Sequence, residues 1–212
     1  MKSHLYLLQL DLSQLPFKFA LLSFISAFVV TLICIPPIIH LINRFRLYDV
    51  PNARKLHTAP IPTMGGIAIM AGMMMSLFLW FPFSNELALV AFFFSVAVLF
   101  GLGILDDLKD LSARYKFIIQ AGLAALIALS GIRITSFEGL MGIGELPIAA
   151  QYSFTIIVIV GITNAFNLID GIDGLAGGIG FMSLMTLGFF LTLCGDANTA
   201  LIAFALAGGI LA

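Results

Sequence analysis

Charge is what this chain most lacks. Of its 212 residues only 10 are Lys or Arg and 11 are Asp or Glu, so charged residues make up 10% of the chain, against roughly 25% in a soluble globular domain. The class this excludes is the water-soluble domain. The formal net charge of −1 excludes a second class, the nucleic-acid binder, whose electrostatic footprint is a basic face. Cysteine is nearly absent: Cys34 and Cys194 sit in apolar runs with neither a CxxC spacing nor a partner His. That argues against a zinc site and against a disulfide framework, and reads both as small buried hydrophobes. No G-x-x-x-x-G-K-[ST] loop, G-x-S-x-G elbow or H-E-x-x-H helix occurs, which leaves nucleophilic serine chemistry and zinc proteolysis without their signatures. Met1 to Pro16 has Lys2 as its one basic residue, and no A-x-A site follows the first long apolar run. A removable signal peptide is not expected.

What is present is apolar. The hydrophobic fraction is 61% and the mean hydropathy +1.12, the composition of an integral membrane protein. The runs predict spans near Phe17 to Ile42, Gly65 to Phe81, Leu87 to Leu105, Phe117 to Ile132, Tyr152 to Ile169 and Leu175 to Leu193, with a last one beginning near Ala200. A spanning helix needs about 20 apolar residues, so the expected fold is an all-α, polytopic helical bundle of about seven transmembrane helices, forming a single membrane-embedded domain over residues 1–212. Pro36-Pro37 should kink the first span. Met70, Met73, Met74 and Met75 are packing or lipid-facing bulk.

Orientation follows from the basic residues of the loops. Alternate connections hold Arg44, Arg46, Arg54, Lys55, Lys109, Arg114 and Lys116, and the opposite side holds Lys2, Lys18 and Arg133. The imbalance places the first group in the cytoplasm and the N-terminus outside. The connection from Gly131 to Gln151, with its Gly142-x-Gly144-Glu145-Leu146-Pro147 turn chemistry, is then outside as well.

Against that background two polar clusters stand out, because ionisable groups at membrane depth are functional by default. Asp106-Asp107, with Asp110, ends an apolar run, and Lys109, Arg114 and Lys116 follow closely. Adjacent carboxylates repel unless one is protonated, paired or bound to a metal. Hard oxygen ligands of this kind suit magnesium, which takes one or two carboxylates and fills its remaining positions with water and phosphate oxygens. The bland alternative is a solvated helix end. The second cluster runs Asn164-Ala165-Phe166-Asn167-Leu168-Ile169-Asp170-Gly171-Ile172-Asp173-Gly174. Asn167, Asp170 and Asp173 are three apart and neighbours in the series share a ridge if helical. The glycines Gly171, Gly174, Gly177 and Gly178 fit close helix packing or a loop that hugs a ligand. Since a continuous helix would turn Asn164 and Asp173 to opposite sides, a break is expected near Gly171 to Gly174. The bland alternative is interhelical hydrogen bonding. Between Arg44 and Met64 a polar loop combines turn formers with Arg54, Lys55 and His57; by themselves the cations read as interfacial anchors before phosphate ligands, and the lone His as a solvent-exposed side chain.

Taken in order, three blocks resemble those of the polyprenyl-phosphate N-acetylhexosamine-1-phosphate transferases. They are Asp49-x-Pro51-Asn52-x-Arg54-Lys55-x-His57 leading to Pro60-Ile61-Pro62-x-x-Gly65-Gly66, then Leu105-Asp106-Asp107, then Asn164-x-x-Asn167-Leu168-x-Asp170-Gly171-x-Asp173-Gly174. The resemblance implies transfer of a sugar 1-phosphate from a UDP-N-acetylhexosamine to a polyprenyl phosphate, with release of UMP, in the bacterial inner membrane with a cytoplasmic active site. It implies magnesium, with manganese as an alternative, and allows a homodimer. Its site residues map onto Asp106 and Asp107 as catalytic groups. Asp107 and Asn167 become metal ligands, and Arg54, Lys55, His57, Lys116, Asn164, Asp170 and Asp173 contact substrate. The first block looks like the N-acetylglucosamine branch, although Thr63-Met64-Gly65-Gly66 is shared with the phospho-N-acetylmuramoyl-pentapeptide branch. The family continues through further spans with a Met-Gly-Asp-x-Gly-Ser block, which supplies a principal metal-binding Asp, and a later His-rich loop. Neither is found here, so a C-terminally truncated, inactive fragment is the expectation. A transporter or proton relay, the competing class, would place acids in mid-span.

Overall fold

A computed structural model describes residues 17–45, 48–49, 61–62, 65–83, 86–109, 111–170 and 174–212. Among the described residues there are seven α-helices: α1 (Phe17–Phe45), α2 (Gly65–Trp80), α3 (Leu87–Lys109), α4 (Ala113–Leu129), α5 (Ile148–Ile169), α6 (Leu175–Leu193) and α7 (Ala197–Leu211). Each coincides with one of the apolar runs. By length and apolarity α1, α3, α5 and α6 can each cross a membrane, while α2 and α7 are shorter apolar helices. Large apolar side chains such as Ile118, Ile157, Leu168, Met182 and Leu193 lie exposed, a surface that water would penalise and hydrocarbon accepts. The protein is an all-α, multi-pass membrane protein. The described residues also include a short antiparallel pairing, Tyr48 opposite Pro62 and Asp49 opposite Ile61.

The helices gather into two compact units, one holding α1, α2, α6 and α7 and the other α3, α4 and α5. In the first, α7 is the core: Ala200, Leu201, Ala203, Phe204, Ala205, Ala207, Gly208 and Gly209 are all buried. Small residues are what let helices approach in lipid, where apolar burial gives little driving force. A Cβ on Gly208 would run into the Phe24 carbonyl of α1, and one on Gly72 of α2 into Thr31. Tight glycines therefore lie there and not at Gly177 and Gly178, which have room for a side chain. Close helix packing, one of the two readings of the glycine run, is not found at these two positions, because glycine content alone does not say which helix face meets a neighbour. A buried hydroxyl network adds direction: Ser23 and Ser76 are 2.8 Å apart, Ser76 donates to the Ser23 carbonyl at 2.7 Å, and Ser23 to the Leu201 carbonyl at 3.2 Å. Such interhelical bonds are worth about 0.6 kcal/mol each in membrane proteins.

In the second unit α4 packs against both α3 and α5. The connection between α4 and α5 is a hairpin-like turn in which Leu146 N–H donates to Thr135 O at 2.8 Å and Gly139 N–H to Ile143 O at 3.0 Å. It is bound to the start of α5 by Arg133, whose Nε donates to Gln151 Oε1 at 2.8 Å and whose guanidinium stacks on the Tyr152 ring. The turn chemistry read at Gly142 to Pro147 is thus realised, with Gly142 in the left-handed region at φ 75°. Helix α1 continues through Pro36 and Pro37. Cys34 is half-buried and Cys194 exposed, so the expectation of two buried thiols fails. Cys194 caps the end of α6, outside the helix packing that would have covered it.

Candidate functional site

The last turn of α3 carries Asp106 and Asp107, and α4 begins only a few residues later at Ala113. Ser112 caps α4, its backbone extended at φ −62°, ψ 141° and its hydroxyl accepting from Tyr115 N–H. Such a cap satisfies one of the orphan donors of the helix start. What makes the turn tight is Asp106. One carboxylate oxygen accepts from the Leu111 N–H at 3.0 Å and the other from Lys116 Nζ at 2.8 Å. Side-chain exposure of 24% for Lys116 and 27% for Asp106 makes this a partly desolvated ion pair. Asp107, the next residue, is exposed.

Helix α5 returns to the same end. Its start meets the connection just past the C-terminus of α4 through the Arg133 to Tyr152 contact, and Asn164 meets Gln120 in the first half of α4, Nδ2 donating to Oε1 at 3.2 Å. Two such contacts order α4 and α5 as antiparallel neighbours. Lys116 lies one turn from Gln120 towards that end, and Asn167 and Asp170 continue α5 in the same direction, where Asp170 caps the helix with φ −67°, ψ −13°. At about 1.5 Å rise per residue, the acids of α3, the Lys of α4 and the polar end of α5 fall within a turn or two of one end of this unit. The break expected near Gly171 to Gly174 is there: α5 stops at Ile169, and Gly174, left-handed at φ 72°, opens α6. Only glycine takes that conformation without cost.

Of the residues singled out in the sequence, Asp106 and Lys116 are in direct contact and Asp107 adjoins them. Asn164 is half-buried, Asn167 and Asp170 exposed. Arg54, Lys55, His57 and Asp173 lie outside the described residues. Gln120 was missed. It is 8% exposed, and the signal was available: a lone amide four residues after Lys116 in an otherwise apolar run puts two polar groups on one helix stripe. Among the described residues no group of three or more His, Cys, Asp or Glu side chains is placed to hold a metal. Asp107 and Asn167 supply hard oxygen donors of the type magnesium accepts, and the Asp106 carboxylate is already engaged by Leu111 and Lys116.

What the arrangement can do is gather anions. A lysine beside carboxylates at a helix end offers a cation to phosphate oxygens and an acidic pole to a divalent ion. Comparison with known proteins supplies a family. Residues 89–212 match the family described as glycosyl transferase family 4. A Bacillus subtilis (strain 168) protein named probable undecaprenyl-phosphate N-acetylglucosaminyl 1-phosphate transferase is 37% identical over 168 residues, 77% of this chain and 47% of that protein. Undecaprenyl-phosphate alpha-N-acetylglucosaminyl 1-phosphate transferases of Salmonella typhi and Escherichia coli (strain K12) are 32% identical over 194 residues and 30% over 167, covering 91% and 78% of this chain and 52% and 45% of theirs. The chain spans about half the length of these curated relatives.

Proposed function

Because this chain belongs to glycosyl transferase family 4, we propose that the protein carrying it transfers N-acetylglucosamine 1-phosphate from UDP-N-acetylglucosamine to undecaprenyl phosphate. An oxygen of the lipid phosphate attacks the phosphorus that bears the sugar, a new P–O bond forms, and the bond to the uridylyl oxygen breaks to release UMP. Nothing needs oxidation, and the charge problem dominates: two anions must be brought together. The observation that carries this reading is the contact of Lys116 with Asp106 at 2.8 Å, next to the exposed Asp107. Lys116 is preset by Asp106 to meet phosphate oxygens, and Asp107 and Asn167 would hold magnesium, which neutralises charge on the transferring group when bound. Asn164, Asp170 and Asp173 serve the nucleotide-sugar end, and Arg54, Lys55 and His57 the phosphates. The names of the relatives favour this branch over the muramoyl-pentapeptide one. A transporter is disfavoured, since the acids end helix α3 and do not sit in its middle.

The site faces the cytoplasm of a bacterial plasma membrane in this reading, where UDP-sugars are made. Membranes from cells expressing the full gene, given labelled UDP-N-acetylglucosamine and polyprenyl phosphate, should form labelled lipid and UMP in a magnesium-dependent manner. Asp107→Asn should lower the rate by about a hundredfold or more, as loss of one charge-organising group in a low-dielectric site does. Labelled lipid formed from a muramoyl-pentapeptide donor alone, or full turnover by the Asp107→Asn protein, would overturn it.

A further inference from the structure

The contact between α4 and α5 has a direction that its donors and acceptors fix. The Val160 carbonyl can only accept, so Asn164, whose Nδ2 is 2.9 Å from it, must turn its NH2 group there and not its oxygen. Back-bonding of a polar side chain to the carbonyl four residues earlier is a known habit of helices. The second proton of the same NH2 points at Gln120, which must then present Oε1, at 3.2 Å. Both protons of Asn164 are thereby used. Its Oδ1 keeps its lone pairs, and no donor among the described residues reaches it.

Gln120 is 8% exposed and sits one turn below Lys116, whose ammonium is held by Asp106. Without an acceptor at Gln120 the Asn164 amide would have one proton unpaired in a low-dielectric surround, a cost of about 1–3 kcal/mol, and would leave this rotamer to relieve it. We propose that Gln120 is a positioning residue, which locks the Asn164 amide so that a single neutral acceptor, Oδ1, is offered to the ligand. An acceptor oxygen repels phosphate oxygens, so the group it takes is an O–H or N–H donor: a sugar hydroxyl, an acetamido N–H or the imide N–H of the base. The identity of that ligand rests on the transferase reading above; the locking of Asn164 does not.

Two measurements separate the parts, both on the protein in lipid nanodiscs. The first is solvent exchange of the Asn164 side-chain amide protons, followed by NMR with labelled asparagine. Slow exchange is expected, accelerated about tenfold or more by Gln120→Met, which removes the acceptor at similar volume, and restored by Gln120→Glu, which keeps one. Fast exchange in the unsubstituted protein, or no change in Gln120→Met, overturns the locking whatever the ligand. The second is affinity for UDP-N-acetylglucosamine: Gln120→Met should weaken it about tenfold, the worth of one hydrogen bond of about 1.4 kcal/mol. Gln120→Glu should recover it, and in an Asn164→Leu background Gln120→Met should have no further effect. Unchanged affinity in Gln120→Met, or an equal loss in the Asn164→Leu background, shows Gln120 to be helix packing and overturns the role. No binding by the unsubstituted protein overturns the nucleotide-sugar reading and the ligand assigned to Oδ1 with it.

Discussion

Removing the Asp106 carboxylate should cost stability in a way that its neutral amide does not. In Asp106→Ala two bonds go: Leu111 N–H to one oxygen at 3.0 Å, and Lys116 Nζ to the other at 2.8 Å. A hydrogen bond to a charged group contributes about 1.5–3 kcal/mol, and an ion pair of this exposure adds up to about 1 kcal/mol, so the expected loss is about 1.5–4 kcal/mol. Asp106→Asn keeps an oxygen for Leu111 and turns an NH2 donor towards Lys116, so the Lys116 bond goes with the charge and the Leu111 bond stays, about 1 kcal/mol of damage. The α3 to α4 turn should therefore loosen in the first variant and persist in the second. Unfolding in mixed micelles with increasing denaturing detergent would read this as a separation of the two midpoints, the alanine variant falling clearly lower. Transfer activity should drop about a hundredfold in both, because Lys116 loses its charged partner either way. Equal midpoints for alanine and asparagine would refute the clasp, and a stable, fully active Asp106→Asn protein would refute the link between the clasp and phosphate binding.

Three further outcomes are expected. Gly208→Ala should destabilise the first unit by about 1–3 kcal/mol, the usual cost of overpacking, since its Cβ meets backbone of Phe24 that cannot swing away; thermal melting in detergent checks it. Ser95→Ala should raise stability by about 1 kcal/mol, because the Ser95 hydroxyl is buried with no hydrogen-bond partner among the described residues; a lower melting temperature would count against that. Ser112→Cys, at an exposed cap, should resist an impermeant thiol reagent in sealed cells and react after lysis, and labelling of sealed cells would overturn a cytoplasmic site.

The helices were legible because each is a long apolar run ended by turn formers or charge, and the break after Ile169 because a continuous helix would turn Asn164 and Asp173 to opposite sides; the left-handed Gly174 is where the structure makes it. Packing was less so. Gly177 and Gly178 were candidates for close contact, yet among the described residues the glycines with no room for a side chain are Gly72, Gly188 and Gly208, a matter of which face meets which helix and not of composition. For Asp106 the residue was readable and its partners were not: that one oxygen would hold a backbone N–H and the other Lys116 depends on the path of the chain through 111–116. Gln120 shows the converse loss, a polar residue overlooked because its meaning lies in Asn164, 44 positions away.

That the core helix α7 comes after α3, α4 and α5 in the chain has a consequence for biogenesis. Helices α1 and α2 leave the ribosome well before the segment that fills the space between them, and at about 5–20 residues per second their packing face waits on the order of ten seconds. During that interval a bare hydroxyl in hydrocarbon is a liability to any passing span. The bonds between Ser23 and Ser76, 2.8 Å across α1 and α2, need nothing from α7, so the early hairpin can satisfy its own hydroxyls. When α7 arrives it brings only the Leu201 carbonyl as a further acceptor for Ser23, together with Ala and Gly surfaces that slide against small residues already in place. The late helix thus inserts into a pair that is already latched, and the order of synthesis sets the order of assembly.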